Sequence, residues 1–365
     1  MTPNDAVVAP DGSGGDPFLD VTRLTPSAAV TAADAAEAVR NSFGLTGELD
    51  RLPGEADDNF VLRAGDGRRY VVKVAHLRAD PRVVGAQVRV LRHLESVAPQ
   101  LPVPRVVPSV AGEPWAVVAD GPLRGRLVHV ITYLDGQLLR SVPASPALRR
   151  QVGATLASLG AALRAFEDPL VHRPLLWDIA QLPRLRPLVA ELPLGAGADR
   201  LGELIGRFTA EVAPRLAARR TQLVHNDFSP DNLLISADAS RVCGIIDFGD
   251  VTVTALVNDV AVAAANLLSA EADFLRPALD LVRGYHATTP LTAGELDLLP
   301  DLMLARILAR LVISEWRAVR FPENRAYILR NTPLAWEHLS RLRTIDVDEI
   351  TARIHDACRP EERNA

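Results

Sequence analysis

Two short segments in the second half of the chain restrict its fold more than anything else in it. They are His225-Asn226-Asp227-Phe228-Ser229-Pro230-Asp231-Asn232 and Ile245-Ile246-Asp247-Phe248-Gly249-Asp250. Between them stand two apolar runs, Leu233-Leu234-Ile235 and Val242-Cys243-Gly244-Ile245-Ile246, separated by the turn-rich Ser236-Ala237-Asp238-Ala239-Ser240. That pattern predicts a β-hairpin, and the hairpin returns Asp247 to the side of Asn232.

An Asp, an Asn five residues later and a second Asp beyond a hairpin form the set that phosphoryl transfer requires. The reaction needs alignment, metal and a proton acceptor more than covalent help from the protein. Asp227 fits the acid that takes the proton of an attacking hydroxyl, while Asn232 and Asp247 fit ligands of Mg²⁺. A lone H-x-D-x-x-x-x-N arises by chance in roughly a few per hundred chains of this length, and D-F-G after a hairpin lowers that by roughly two orders of magnitude. The plain alternative is that both acids only cap turns.

The first part of the chain has a different texture. Thr31 can cap a helix to about Phe43, with Ala33, Ala36, Val39 and Phe43 at helical spacing. Strand-like runs follow near Glu48 to Leu52, Asn59 to Arg63 and Arg69 to Ala75, the last two joined through Gly65-Asp66-Gly67. Asp80-Pro81 opens a helix through Val84, Val88, Leu91 and Leu94, and two more strands are expected at Trp115 to Ala119 and Leu127 to Thr132. Beyond Ser145 the chain reads as mostly helical, with Leu148, Val152, Leu156, Leu159 and Leu163 forming one stripe and Leu201 to Val212 another. Further helices are expected over Leu256 to Leu268, Phe274 to Tyr285, Leu296 to Val319 and Pro333 to Leu342.

Lys73 is the one lysine in the sequence and sits in the apolar run Tyr70-Val71-Val72-Lys73-Val74. On the inward face of a strand it would be desolvated unless it met an anion, and nucleotide phosphates supply one. The alternative is an exposed strand lysine. Ahead of it, Gly54-Glu55-Ala56-Asp57-Asp58-Asn59-Phe60 takes the place of a glycine-rich phosphate loop, with backbone N–H groups near Gly54 and Asn59 available to phosphate.

Leu52 to Phe60, Val72-Lys73-Val74, Ile131-Thr132-Tyr133-Leu134-Asp135-Gly136, Leu176-Trp177-Asp178 and Gly244 to Asp250 together resemble the aminoglycoside phosphotransferase superfamily, nearest to its hydroxylysine kinase-like group. The resemblance runs from Phe43 to about Arg320. It implies an α+β, two-lobed protein-kinase-like fold, with a small β-rich N-lobe carrying one long helix and a larger, mostly helical C-lobe. The expected divisions are a tail over 1–20, a nucleotide-binding N-lobe over 21–132, a crossing at 133–136, a catalytic and substrate-binding C-lobe over 137–358 and a tail over 359–365. Backbone groups of Tyr133 and Leu134 would then meet the purine. Gln87 stands where many kinases have a Glu partner for the lysine, with Glu95 as another acid in reach. Asp259 would sit beneath the catalytic loop and accept backbone N–H bonds, and His225 would orient that loop. Trp177, Asp178 and Asp250 are candidates for holding a cationic substrate, the indole by cation–π attraction; for Asp178 a helix N-cap before Ile179 is the equal alternative.

Composition excludes several other classes. With 48% hydrophobic residues, 23% charged residues and a net charge of −5, the chain has a globular make-up and no electrostatic footprint for nucleic acid. Arg215, Arg219 and Arg220 end a helix-like stretch and suit its dipole. Two cysteines, Cys243 and Cys358, suggest neither a disulfide framework nor zinc, and no run reaches the length of a membrane span. The expected setting is the cytoplasm. The reading is a phosphotransferase using Mg²⁺ and ATP or GTP on a hydroxyl of a small amine-bearing molecule, of the hydroxylysine type. Its rivals are an antibiotic phosphotransferase, a kinase for Ser or Thr in a peptide, and a non-catalytic nucleotide-binding protein.

Overall fold

The computed structural model describes residues 30–54 and 57–359. The expected tail over 1–20, Glu55 and Ala56 of the loop before β2, and all but the first residue of the expected C-terminal tail lie outside the described residues.

Helix α1 (Ala32–Phe43) begins at a capping box in which Thr31 and Asp34 satisfy each other's backbone N–H groups, and it ends at Gly44 with φ 67°. Strands β1 (Gly47–Leu52), β2 (Asp58–Ala64) and β3 (Arg69–Val74) form an antiparallel meander. Helix α2 (Pro81–Val97) has Asp80 as its N-cap and Pro81 in its first turn, as the sequence predicts. Strands β4 (Val106–Val107) and β5 (Ala116–Val117) both pair with β6 (Leu127–Thr132), so the sheet order is β1-β2-β3-β6-β4 with β5 also on β6. The expected strand at Trp115 to Ala119 is only two residues long, and β4 was not anticipated, because two-residue runs carry no alternation to read.

Alternation along these strands divides the sheet. Phe60, Leu62, Tyr70, Val72, Val74, Val128 and Val130 pack with Val39 and Phe43 of α1 in one buried cluster. The opposite face carries Asn59, Lys73 and His129 side by side, since Lys73 is paired in register with both neighbours. Helix α2 belongs to a different cluster: Ala86, Val90, Leu91 and Leu94 are buried together with residues of the helical lobe. Arg89 of α2 also pairs with Asp168.

After the crossing segment, β7 (Gln137–Leu138) pairs with β9 (Leu233–Ile235), which pairs in turn with β10 (Val242–Ile245). The predicted hairpin is therefore present. A second pair joins β8 (Thr221–Val224) to β11 (Thr252–Ala255) and closes the ends of the motif region against each other. Helix α3 (Pro146–Leu163) is capped by Ser145, whose hydroxyl accepts the Leu148 N–H. The remaining helices are α4 (Arg186–Val189), α5 (Ala196–Arg207), α6 (Ala213–Ala217), α7 (Leu256–Ala265), α8 (Arg276–Thr288), α9 (Ala293–Leu296), α10 (Leu299–Arg320), α11 (Arg325–Ile328), α12 (Thr332–Leu342) and α13 (Val347–Cys358). Helix α13 was not anticipated; only Ile350 and Ile354 of its residues are buried, too few for a stripe. The whole is a β-rich N-lobe on a larger helical lobe. Among the described residues no helix is long and apolar enough to cross a membrane.

Helices α3 and α8 touch through glycines. A Cβ on Gly153 would lie 2.0 Å from the Leu281 carbonyl oxygen, and one on Gly284 would lie 1.9 Å from the Arg150 carbonyl oxygen. In an isolated helix Gly→Ala stabilises by about 1 kcal/mol. Here the clash is with backbone, so Gly284→Ala should instead destabilise by about 1–3 kcal/mol, read as a lower urea midpoint; an unchanged midpoint would show that the helices can separate freely.

Candidate active site

The loop between β8 and β9 carries Asp227 and Asn232. Its start is held from below, because the buried Asp259 of α7 accepts the backbone N–H of His225 at 3.1 Å and of Asn226 at 2.8 Å. Asn226 has φ 66°, a left-handed conformation that asparagine tolerates better than most residues, and these bonds hold it there. His225 is fully buried; its Nδ1 accepts the Asp227 N–H, its Nε2 lies 3.2 Å from the Ile246 carbonyl, and its ring meets Phe228 and Phe248 edge-on. These contacts make it a brace between the two motif segments.

Asp227 is held on both oxygens. Asn232 Nδ2 donates to its Oδ2 at 2.7 Å and to its carbonyl at 2.9 Å, and Arg306 Nη2 of α10 donates to its Oδ1 at 2.8 Å. Arg306 was not anticipated. Asp247 follows Ile246, whose N–H donates to the Asn232 carbonyl, so the hairpin brings the two predicted metal ligands together. Asp247 has φ 62° and a side chain 58% exposed at the mouth of the cleft. Its carboxyl is held below the usual carboxylate range, chiefly by Lys73, whose Nζ lies 3.9 Å away. Lys73 thus has a charged neighbour, supplied by the D-F-G segment. Neither Gln87 nor Glu95 fills that place: Gln87 Nε2 donates to the Gly249 carbonyl at 2.7 Å, and Glu95 faces solvent. His129, beside Lys73 in the sheet, is kept neutral by burial and by the lysine, its pKa pushed down to about 3.

Two of the acids ahead of and at the start of β2 are taken up by N-lobe partners. Asp57 accepts the His76 N–H, and Asp58 pairs with Arg51 and Arg126. Asn59 Nδ2 reaches the Pro53 carbonyl, and a Cβ on Gly54 would lie 2.6 Å from the Asp57 carbonyl oxygen, so the close approach of backbone favours glycine. Asn59 Oδ1 is buried without a donor. In the crossing segment the Tyr133 N–H is already given to the Arg69 carbonyl, and the ring lies under the Arg69 guanidinium. That N–H is not open to a purine. The Leu134 N–H has no acceptor among the described residues.

Two of the three substrate candidates change. Asp178 is buried and caps the turn Ile179–Leu185, accepting from the Ala180 N–H, the Thr254 hydroxyl and the Asn258 amide. All three bonds fall on Oδ1 of a side chain that is 4% exposed, which is the arrangement of the capping alternative. The Trp177 ring has the Arg306 guanidinium at 5.2 Å from its centroid, so one face already holds a cation. Asp250 does belong to the cleft. Burial, with Asp227 and Asp247 nearby, pushes its carboxyl up to about 7, against the opposing pull of Arg173 and Arg306.

That carboxyl has a thermodynamic signature. From about pH 4, where the unfolded chain releases this proton, to about pH 7, where the folded protein does, the folded state binds more protons and stability falls as pH rises. Asp250→Asn should flatten that fall in Mg²⁺-free buffer and raise stability at pH 8, checked by melting at a series of pH values. A slope equal to that of the unaltered protein would remove Asp250 from the cluster.

The oxygen donors here suit a hard cation. Asp247 offers an open carboxylate and Asn232 an amide oxygen, and Mg²⁺ is commonly held by one or two protein oxygens together with phosphates. No cluster of three or more His, Cys, Asp or Glu side chains able to hold a metal occurs among the described residues.

The profile of the phosphotransferase enzyme family (APH) matches residues 48–296. The chain is 26% identical over 331 residues to a hydroxylysine kinase of Danio rerio, covering 87% of this chain and 92% of that one. It is 30% identical over 255 residues to a homoserine kinase of Methylobacterium radiotolerans, covering 68% and 74%. Among solved structures, an amicoumacin kinase in complex with AMP-PNP, Ca²⁺ and Ami aligns with a TM-score of 0.60 at 17% identity, over 84% of this chain and 91% of that one. An aminoglycoside phosphotransferase from Alicyclobacillus acidocaldarius gives 0.58 at 17% identity, over 91% and 98%. These two likenesses show the fold.

Proposed function

Since the chain belongs to the phosphotransferase enzyme family, we propose that it transfers the γ-phosphoryl group of ATP or GTP to a hydroxyl of a small amine-bearing molecule, a hydroxylysine-like amino acid or a close relative. The observation that carries this reading is the placement of Asp227: its carboxylate is fixed between Asn232 and Arg306, beside the hairpin that presents Asp247. Asp227 orients the acceptor hydroxyl and takes its proton as the bond to phosphorus forms. Asn232 and Asp247 would hold Mg²⁺, which would supply positive charge against the nucleotide phosphates. Lys73 anchors the phosphates, the loop at Gly54 and Asn59 covers them, and Leu134 meets the base. Gln87 ties α2 to Gly249 and so positions the D-F-G segment. Asp250 faces the amine of the acceptor, whose positive charge would favour the ionised carboxylate.

A release assay for ADP and GDP tests this, with hydroxylated amino acids, amino sugars and aminoglycosides as acceptors. Hydroxylated amino acids should be turned over. Turnover of aminoglycosides alone would move the protein to antibiotic modification, and nucleotide binding without transfer to any acceptor would count against an enzyme of this class.

A further inference from the structure

Helix α10 presents two arginines one turn apart to the loop that carries Asp227. Arg306 is 5% exposed; one of its terminal nitrogens bonds Asp227, and its Nε is buried without an acceptor. Arg310 donates to the amide oxygen of Asn266, whose amide nitrogen is itself buried and unpartnered. Among the described residues no carboxylate forms an ion pair with Arg310. Asp231, which lies within electrostatic reach of it, pairs instead with Arg140 at 3.0 Å. On α12 the buried His338 also feels Arg310, and its Nε2 has no partner.

Arg306 has Asp227 as its ion-pair partner, whereas the half-buried Arg310 has none among the described residues, with Asp227 and Asp231 only within electrostatic reach. A cation partly taken from water without a paired counter-ion is costly. Burial and Arg306 accordingly pull the Arg310 pKa down to about 10. One negative charge would satisfy the site, next to the group that receives the acceptor hydroxyl.

We propose that Arg310, with Arg306 and the Asn266 amide, binds a carboxylate of the phosphoryl acceptor and so selects hydroxylated amino acids over amino alcohols and amino sugars. The inference rests on the phosphotransferase reading for the position of the acceptor. Guanidinium suits the task because its planar donors match the two oxygens of a carboxylate. Asp250, which also lies near Asp227, would then take the amine, so the acceptor is read at both charged ends.

Matched acceptors test this without altering the protein: L-homoserine against 3-aminopropan-1-ol, and 5-hydroxy-L-lysine against 1,5-diaminopentan-2-ol, each pair differing by the carboxylate alone. The carboxylated member should have a kcat/KM higher by roughly 30-fold or more. Arg310→Met should erase most of that ratio through KM, and Arg310→Lys should restore part of it. Equal turnover within a pair, or equal losses for both members in Arg310→Met, would overturn the clamp while leaving the kinase reading intact.

If no acceptor is turned over, glutarate serves as the probe, titrated against chloride at constant ionic strength with Mg²⁺ and AMP-PNP present. A saturable rise in Tm that Arg310→Met and Arg310→Gln both lack supports the anion site even as the acceptor class fails. No such rise overturns it.

Discussion

Asp227→Asn should lower kcat by roughly 10²–10⁴-fold, the usual contribution of a positioned general base, with little change in the affinity for Mg²⁺ and nucleotide. Asparagine keeps the shape and one acceptor, so the bond from Asn232 or that from Arg306 survives in part. The loss is in charge. Arg306 is then left buried opposite a neutral amide, and a stability decrease of about 1–3 kcal/mol should accompany the kinetic defect. The two effects separate in the double variant Asp227→Asn with Arg306→Met, which should recover stability and not turnover. Isothermal titration with AMP-PNP, melting curves and steady-state rates read the three quantities. A kcat near that of the unaltered enzyme would remove Asp227 from the proton-accepting role.

Asp259→Ala should be the most damaging change that touches no substrate. The carboxylate accepts two backbone N–H groups in a buried position, and alanine leaves both without partners. Each such group costs about 1–3 kcal/mol. Against this, burial already pushes the Asp259 carboxyl above its usual range, so removing it relieves some desolvation. The unpaired donors outweigh that relief, and a net loss of about 2–4 kcal/mol is expected. Turnover should fall as well, because Asn226 would be released from its left-handed conformation and Asp227 would lose its placement. Asp259→Asn, which retains one acceptor, should fall between the two. A urea midpoint for Asp259→Ala equal to that of the parent would mean that the loop is held by other contacts.

The parts of this site that follow local rules were legible from the residues. The hairpin between Asn232 and Asp247 is written in two apolar runs and a turn, and Asp80-Pro81 marks a helix start by capping chemistry alone. The parts that depend on tertiary placement were not. Arg306 reaches Asp227 from a helix whose apolar stripe reads as plain core, and two arginines spaced by one turn among leucines were the available sign. Trp177 looked open because the cation over it comes from that same distant helix. Asp178 carried two readings that spacing cannot separate; burial beside Thr254 and Asn258 decided for the cap. Gln87 was aligned by position along α2, but its partner is a carbonyl in the D-F-G segment, contributed from far along the chain.

The solitary Lys73 gives the cleft a chemical address. Its ammonium is partly exposed and points toward Asp247. An acyl-phosphate derivative of a nucleotide, which transfers its acyl group to amines, has one side chain on this protein that it can acylate. Digestion with a lysine-specific protease would then report occupancy directly: the unlabelled chain is cut once, after residue 73, and the labelled chain stays whole.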